Sequence, residues 1–219
     1  MKKSLRILFL SCFCLSVKAQ RSCPDNNHPH MIDLGLPSGT LWACCNVGAT
    51  NPEEYGGYYA WGETEEKDYY DWDTYKWCLG DKKTMTKYCT NSVYGTVDNK
   101  KTLSASDDVA RVKWGGNWRM PTRAEKEELR YKCRWTWTTK NGVNGYKVVG
   151  PNGNSIFLPA AGRRRKEELS NAGSRGDYWS SSLYDRSFIA ENLYFDSSEV
   201  YYFSFDARYN GHSVRPVCP

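Results

Sequence analysis

An α+β domain of many short antiparallel strands and two helices is what this sequence predicts, and three observations lead there. Short runs rich in β-branched and aromatic residues recur from residue 40 to residue 217, Gly, Asn and Pro punctuate them, and only two stretches carry helix-start signals. Helices few and early, with strands many and late, is the α+β pattern.

Strands are expected at residues 40–47, 57–61, 134–139, 146–149, 155–158, 178–182, 193–195, 200–205 and 213–217. Asn141-Gly142, Asn144-Gly145 and Asn152-Gly153 supply the positive φ that tight hairpins demand, so residues 135–158 read as a meander. One helix is expected from Ser106, where Asp107 and Asp108 favour the positive end of its dipole ahead of Val109, Ala110 and Val112. The other covers 123–133: Thr122 caps it, Glu125 completes a capping box, and Pro121 stops any earlier helix.

Residues 1–19 read as a secretory signal, with a basic start at Lys2, Lys3 and Arg6, an apolar stretch from Ile7 to Val17, and cleavage after Ala19. Leu10-Ser11-Cys12 offers the less favoured alternative of a lipoprotein. A secreted or cell-surface location follows, with lipid or pilus assembly as open means of attachment. Later segments fall short of the roughly 20 apolar residues a membrane helix needs. Residues 20–219 carry no linker or composition break and are expected to form one domain.

Seven cysteines follow the signal: Cys23, Cys44, Cys45, Cys78, Cys89, Cys133 and Cys218. An odd number leaves at least one thiol free or pairing between chains. Cys78 and Cys89 close a short polar turn and are the expected disulfide. Cys44 and Cys45, adjacent in an expected strand, are predicted to face opposite sides.

Removing the signal takes away Lys2, Lys3, Arg6 and Lys18 and no acid, which lowers the formal charge from +5 by four, to +1. Nucleic acid needs a clustered basic face, and the one basic run, Arg163 to Lys166, is followed at once by Glu167 and Glu168. That run reads as a solvated loop, and no nucleic-acid partner is expected.

Four motifs stand in order: Ile32-Asp-Leu-Gly-Leu-Pro-Ser-Gly-Thr-Leu-Trp42, Trp114-Gly-Gly-Asn-Trp-Arg-Met-Pro-Thr122, Tyr178-Trp-Ser-Ser-Ser182 and Gly211-His-Ser-Val-Arg-Pro-Val217. With them the chain resembles the Fibrobacter succinogenes major paralogous domain family over nearly all of residues 20–219. The resemblance implies a C-type-lectin-like fold related to the formylglycine-generating-enzyme group, in which terminal strands form a sheet platform and late loops a binding face. In some relatives, the variable proteins of diversity-generating retroelements, that late surface is deliberately varied; the matching stretch here is 183–212.

That stretch mixes Tyr and Phe with Ser, Asp, Asn and Arg, as paratopes do, because aromatic rings give contact area at little rotamer cost. It lacks Lys, Trp, Gln and Met, the residues that varying the adenines of an Asn codon cannot produce, while Glu191 and Glu199 would then be fixed scaffold positions. The expected ligand contacts are Tyr184, Asp185, Arg186, Ile189, Tyr194, Asp196, Tyr201, Phe203, Phe205, Asp206, Tyr209, Asn210 and His212. Strict alternation puts Tyr194, Tyr201, Phe203 and Phe205 outward and Phe195, Val200, Tyr202 and Ser204 inward, unless a bulge reverses them. The competing reading is ordinary strand and loop packing.

Catalytic chemistry finds little support. The histidines are His28, His30 and His212, too few for a zinc site, and Ser180 to Ser182 read as strand-end residues. The paired late cysteines of the formylglycine-generating enzymes are missing, as are the calcium motifs of sugar-binding lectins. Most tryptophans read as core rings, whereas Trp72 and Trp77 offer a sugar-stacking platform. The chain is therefore expected to be a secreted or surface-displayed ligand-binding module of adhesin or receptor type, not an enzyme, needing no cofactor and contacting an extracellular protein or glycan. A carbohydrate-binding accessory protein with aromatic platforms is the second reading, and a cryptic enzyme the third.

Overall fold

The computed structural model describes residues 31–219. The signal and lipoprotein readings, with Cys12, Cys23, His28 and His30, lie outside the described residues. The strands are β1 (Met31–Asp33), β2 (Leu41–Ala43), β3 (Arg134–Lys140), β4 (Val143–Val149), β5 (Ser155–Pro159), β6 (Arg163–Arg165), β7 (Glu168–Ser170), β8 (Arg175–Leu183), β9 (Ile189–Asp196), β10 (Val200–Ala207) and β11 (Val217–Cys218). Two α-helices, α1 (Val109–Trp114) and α2 (Arg123–Lys132), precede most of them. The result is the expected mostly-sheet α+β domain of short antiparallel strands.

α2 starts at its expected cap, whereas α1 starts at Val109 and not at the expected Ser106, because residues 105–107 form a 3-10 turn and Asp108 alone caps the helix. Asp108 accepts the N–H groups of Ala110 and Arg111 at the start of α1, while Asp107 instead accepts from Lys87 Nζ and Tyr88 Oη. Thr122 Oγ1 accepts from Glu125 N at 3.3 Å and Glu125 Oε2 accepts from Thr122 N at 2.8 Å, so the capping box of α2 is complete.

The meander forms as β3-β4-β5 around the Asn141-Gly142 turn, both residues having positive φ. Asn144-Gly145, expected as a second turn, lies inside β4 opposite Thr139 and Thr138. Glycine is required there because a Cβ would stand 2.3 Å from Leu158 O and 2.8 Å from Phe157 Cζ. Arg163 to Lys166, expected as a solvated loop, enters a hairpin instead: Arg163 pairs Ser170 and Arg165 pairs Glu168. The expected strand at 57–61 is reduced to one bridge, Tyr59 to His212.

β1 and β11, from opposite ends of the described chain, both pair with β2. The largest core cluster joins Trp42, Leu129, Tyr146, Leu158, Tyr178, Leu193 and Phe195, which welds α2 to three sheets. Burying the Phe195 ring completely is worth roughly 2–3 kcal/mol. A second, Tyr-rich cluster gathers Tyr58, Tyr70, Tyr75 and Tyr209 around Cys78 and Cys89.

The expected Cys78–Cys89 disulfide is not formed, and the described residues contain no disulfide. The thiols turn to different turns: Cys78 Sγ donates to Trp72 O at 3.3 Å, and Cys89 Sγ to Asn91 O at 3.2 Å. Cys44 and Cys45 are both buried, contrary to the expected split, because β2 ends at Ala43 and strand alternation no longer applies. Among the described residues no helix is long and apolar enough to cross a membrane.

Candidate functional site

The sheet ordered β10-β9-β8 carries most of the expected contacts. Its outer strand β10 shows Tyr201 42%, Phe203 39% and Phe205 49% exposed, while Phe195 and Val200 face the core as alternation requires. These exposed rings do not form one face. Tyr201 pairs with Tyr194, but Ser204 pairs with Asn192, so one extra residue is inserted in β10 between them. Beyond that bulge Phe205 stands opposite Glu191. Glu191 and Tyr194 are three positions apart on β9 and so point to opposite sides of the sheet.

Two aromatic clusters result. On one side Tyr194 and Tyr201 lie 5.5 Å apart, with the Arg175 guanidinium 4.3 Å from the Tyr194 ring centre. Tyr194 Oη donates to Asp196 Oδ2 at 2.7 Å and Tyr201 Oη donates to Glu199. Hydrogen bonds from Ser198 and Tyr194 bring the Asp196 carboxyl down to about 2. On the other side Tyr184 stacks on Phe205 at 4.5 Å and lies 5.6 Å from Phe203, over which the guanidinium of Arg123 sits at 4.1 Å. Asp185 and Arg186 are exposed in the adjoining β8–β9 turn.

Beneath the second cluster lie two buried ionisable side chains, Glu191 and Lys126. Arg123 Nη1 stands 3.5 Å from Glu191 Oε1, and Lys126, one turn along α2, is 1% exposed with its Nζ making no hydrogen bond. Burial lowers the Lys126 amine to about 7, although Glu191 pulls the other way. Burial likewise raises the Glu191 carboxyl, against the attraction of Lys126 and Arg123.

Four expected contacts belong to the interior. Ile189, Tyr209, Asn210 and His212 are all buried. The His212 ring stacks on Trp179 at 3.8 Å and its Nε2 lies 3.1 Å from Asp206 Oδ2. Asp206 also accepts from Arg163 Nη1 at 2.6 Å and Asn210 Nδ2 at 2.8 Å. Burial would raise its carboxyl, but the His212 hydrogen bond and the neighbouring cations outweigh burial and hold it well below the usual range. Asp206 is thus a strut that ties β10 to β6 and the C-terminal segment. Tyr209 packs edge-on against Trp72 at 4.7 Å, closing the Tyr-rich cluster.

The alternative platform is occupied. Trp77 has Lys76 Nζ at 4.5 Å and Lys87 Nζ at 4.6 Å from its ring, and its Nε1 donates to Gly62 O. Ser180 Oγ and Ser181 Oγ donate to the backbone oxygens of Glu191 and Pro121. Arg123, Lys126, Arg175 and Glu191 were not expected at the site. Arg123 and Lys126 carry only helix signals in the sequence, and no local pattern links residue 123 to residue 203.

No protein-family model, no curated protein and no solved structure matches this chain. What defines its class is a mostly-sheet α+β domain whose outer strand displays aromatic side chains on both faces.

Proposed function

We propose that this chain is a secreted or surface-displayed ligand-binding module with a C-type-lectin-like fold, of adhesin or receptor type, and that its ligand is an extracellular protein. The observation that carries the reading is the Tyr184–Phe203–Phe205 cluster with Arg123 beside it, three rings and a guanidinium at the open side of the outer strand. Tyrosine, phenylalanine and arginine are the side chains from which interface hot spots and paratopes draw most of their energy. The pairing of β1 and β11, the first and last strands of the described residues, with β2 accords with the terminal-strand platform that the family resemblance implies.

A protein ligand fits better than a sugar. Glycan recognition drew support from Trp72 and Trp77, whose rings are engaged by Tyr209 and by two lysines. The reading involves no catalytic step and no cofactor. Diversification of residues 183–212 remains part of the proposal, with the exposed positions of β10 as the ones it would vary.

The test is capture of labelled extracellular proteins and glycans by the domain and by a variant with Tyr184→Ala, Phe203→Ala and Phe205→Ala. Loss of a captured protein by the folded variant supports the reading. Equal capture by both removes this cluster as the binding face, and capture of glycans alone favours the sugar reading.

A further inference from the structure

A cleft of about 480 Å³ lies away from β10, between one face of β3-β4-β5 and the segment from β1 to Pro52. Its floor is Thr138, Lys147 and Phe157; its wall is Ile32, Cys44 and Pro52. We propose that this cleft is a second binding site, for a small amphipathic anion with one acidic head group on an apolar body.

Three observations carry this. First, the cleft is held open by struts at both ends. Glu53 accepts from Asn141 Nδ2 at 2.5 Å and pairs with Lys140 Nζ at 3.4 Å, joining the loop after β2 to the β3–β4 turn. At the other end Asp33 O accepts from Asn152 Nδ2 at 2.9 Å and Asn154 Nδ2 at 2.8 Å. A cleft braced across its span keeps its volume without a ligand, and its size is in the range of small-molecule sites.

Second, the lining sets apolar side chains, Ile32, Pro52 and Phe157, beside the polar Thr138 and Lys147. Gly145, between Thr138 and Pro159 in the register, has no side chain, and the Phe157 ring lies over it, close enough to stand 2.8 Å from any Cβ placed there. Phe157 itself is buried, and with Ile32 and Pro52 it gives the cleft an apolar side.

Third, the charges on the lining do not cancel. Lys140 is paired with Glu53, whereas Lys147, on the central strand between Thr136 and Phe157, makes no ion pair among the described residues. One uncompensated ammonium beside apolar side chains selects an anion with an apolar body over a neutral or cationic molecule.

The full chain is titrated with sodium dodecanoate and separately with 1-dodecanol, both below micelle formation, and followed by amide NMR. Dodecanoate is expected to shift Thr138, Lys147 and Phe157 and to bind about tenfold more tightly than the alcohol. Lys147→Glu should bring the acid down to the affinity of the alcohol, and Lys147→Arg should retain the difference. Thr138→Trp, which fills the cleft, should remove both ligands; if that variant does not fold, the two Lys147 variants still decide. Shifts centred on Phe203 and Phe205, equal affinity for acid and alcohol, or no shift at all would overturn the proposal. Shifts at these residues on raising protein concentration alone would make the cleft a contact between copies and overturn it too.

Discussion

Arg123 joins α2 to β10 through one side chain: its guanidinium lies 4.1 Å over the ring of Phe203 while Nη1 stands 3.5 Å from Glu191 on β9. A guanidinium half-exposed over a ring contributes about 0.5–1 kcal/mol. A double-mutant cycle of Arg123→Ala and Phe203→Ala, read by urea unfolding, should give a coupling of about that size. A coupling indistinguishable from zero would mean that the two residues only share a surface.

Lys126 predicts an unusual pH dependence of stability. Its ordinary value of 10.5 falls to about 7 in the folded chain because of burial. Between those two values the unfolded chain holds a proton that the folded chain does not, so stability rises with pH across that window, by at most about 1.4 kcal/mol per pH unit. Lys126→Met should flatten the rise in urea unfolding between pH 7 and 10. Glu191 shifts upward, so between its unfolded and folded values the folded chain holds the extra proton and stability falls as pH rises there. The double variant Lys126→Met, Glu191→Gln should be at least as stable as the wild type at pH 7, since neutral groups at two buried positions carry no charge-desolvation cost.

Asp206 should matter for folding before it matters for binding. Its carboxylate holds Arg163, His212 and Asn210 together. Asp206→Ala leaves Arg163 without its partner and is expected to cost about 2–4 kcal/mol. Because its folded value is depressed, its contribution is fully present above the unfolded pKa and is lost as the pH falls through the folded one. In Asp206→Asn the acid-induced part of the stability loss should be smaller than in the wild type; an unchanged acid limb would count against the strut.

Arg208 is the side chain whose loss should be least tolerated. It is fully buried, and it donates to Tyr75 Oη at 2.7 Å, Ser187 O at 2.7 Å, Tyr88 O at 3.2 Å and Lys87 O at 3.0 Å. A lysine keeps the charge but has no planar fork to reach four acceptors. Arg208→Lys is therefore expected to lose more than about 2 kcal/mol, measured by thermal or urea unfolding, as buried acceptors lose their donors. A loss below about 0.5 kcal/mol would show that the acceptors find other partners.

Local features were legible in the sequence. The Thr122–Glu125 capping box, the Asn141-Gly142 turn and the inward Leu193, Phe195 and Val200 depend on neighbours a few positions apart. Asn144-Gly145 misled because the same dipeptide serves a turn or a close strand crossing, and only the approach of Leu158 distinguishes them. The basic run at Arg163 to Lys166 misled because its polarity fits a solvated loop, whereas Arg163 bonds Asp206 and Arg164 pairs with Gly211.

By itself the sequence determined the aromatic composition of the late strand, and alternation placed Phe195 and Val200 inward. The tertiary structure decided how Tyr201, Phe203 and Phe205 are shared between two faces, because one inserted residue in β10 reverses the side to which everything beyond it points. It also decided that His212 and Tyr209 are interior and that Arg123 and Glu191 underlie the exposed rings. Such contacts join residues about 80 positions apart in the chain, as Arg123 and Phe203 are, and arise from packing free energy across sheets and a helix, which no local pattern encodes.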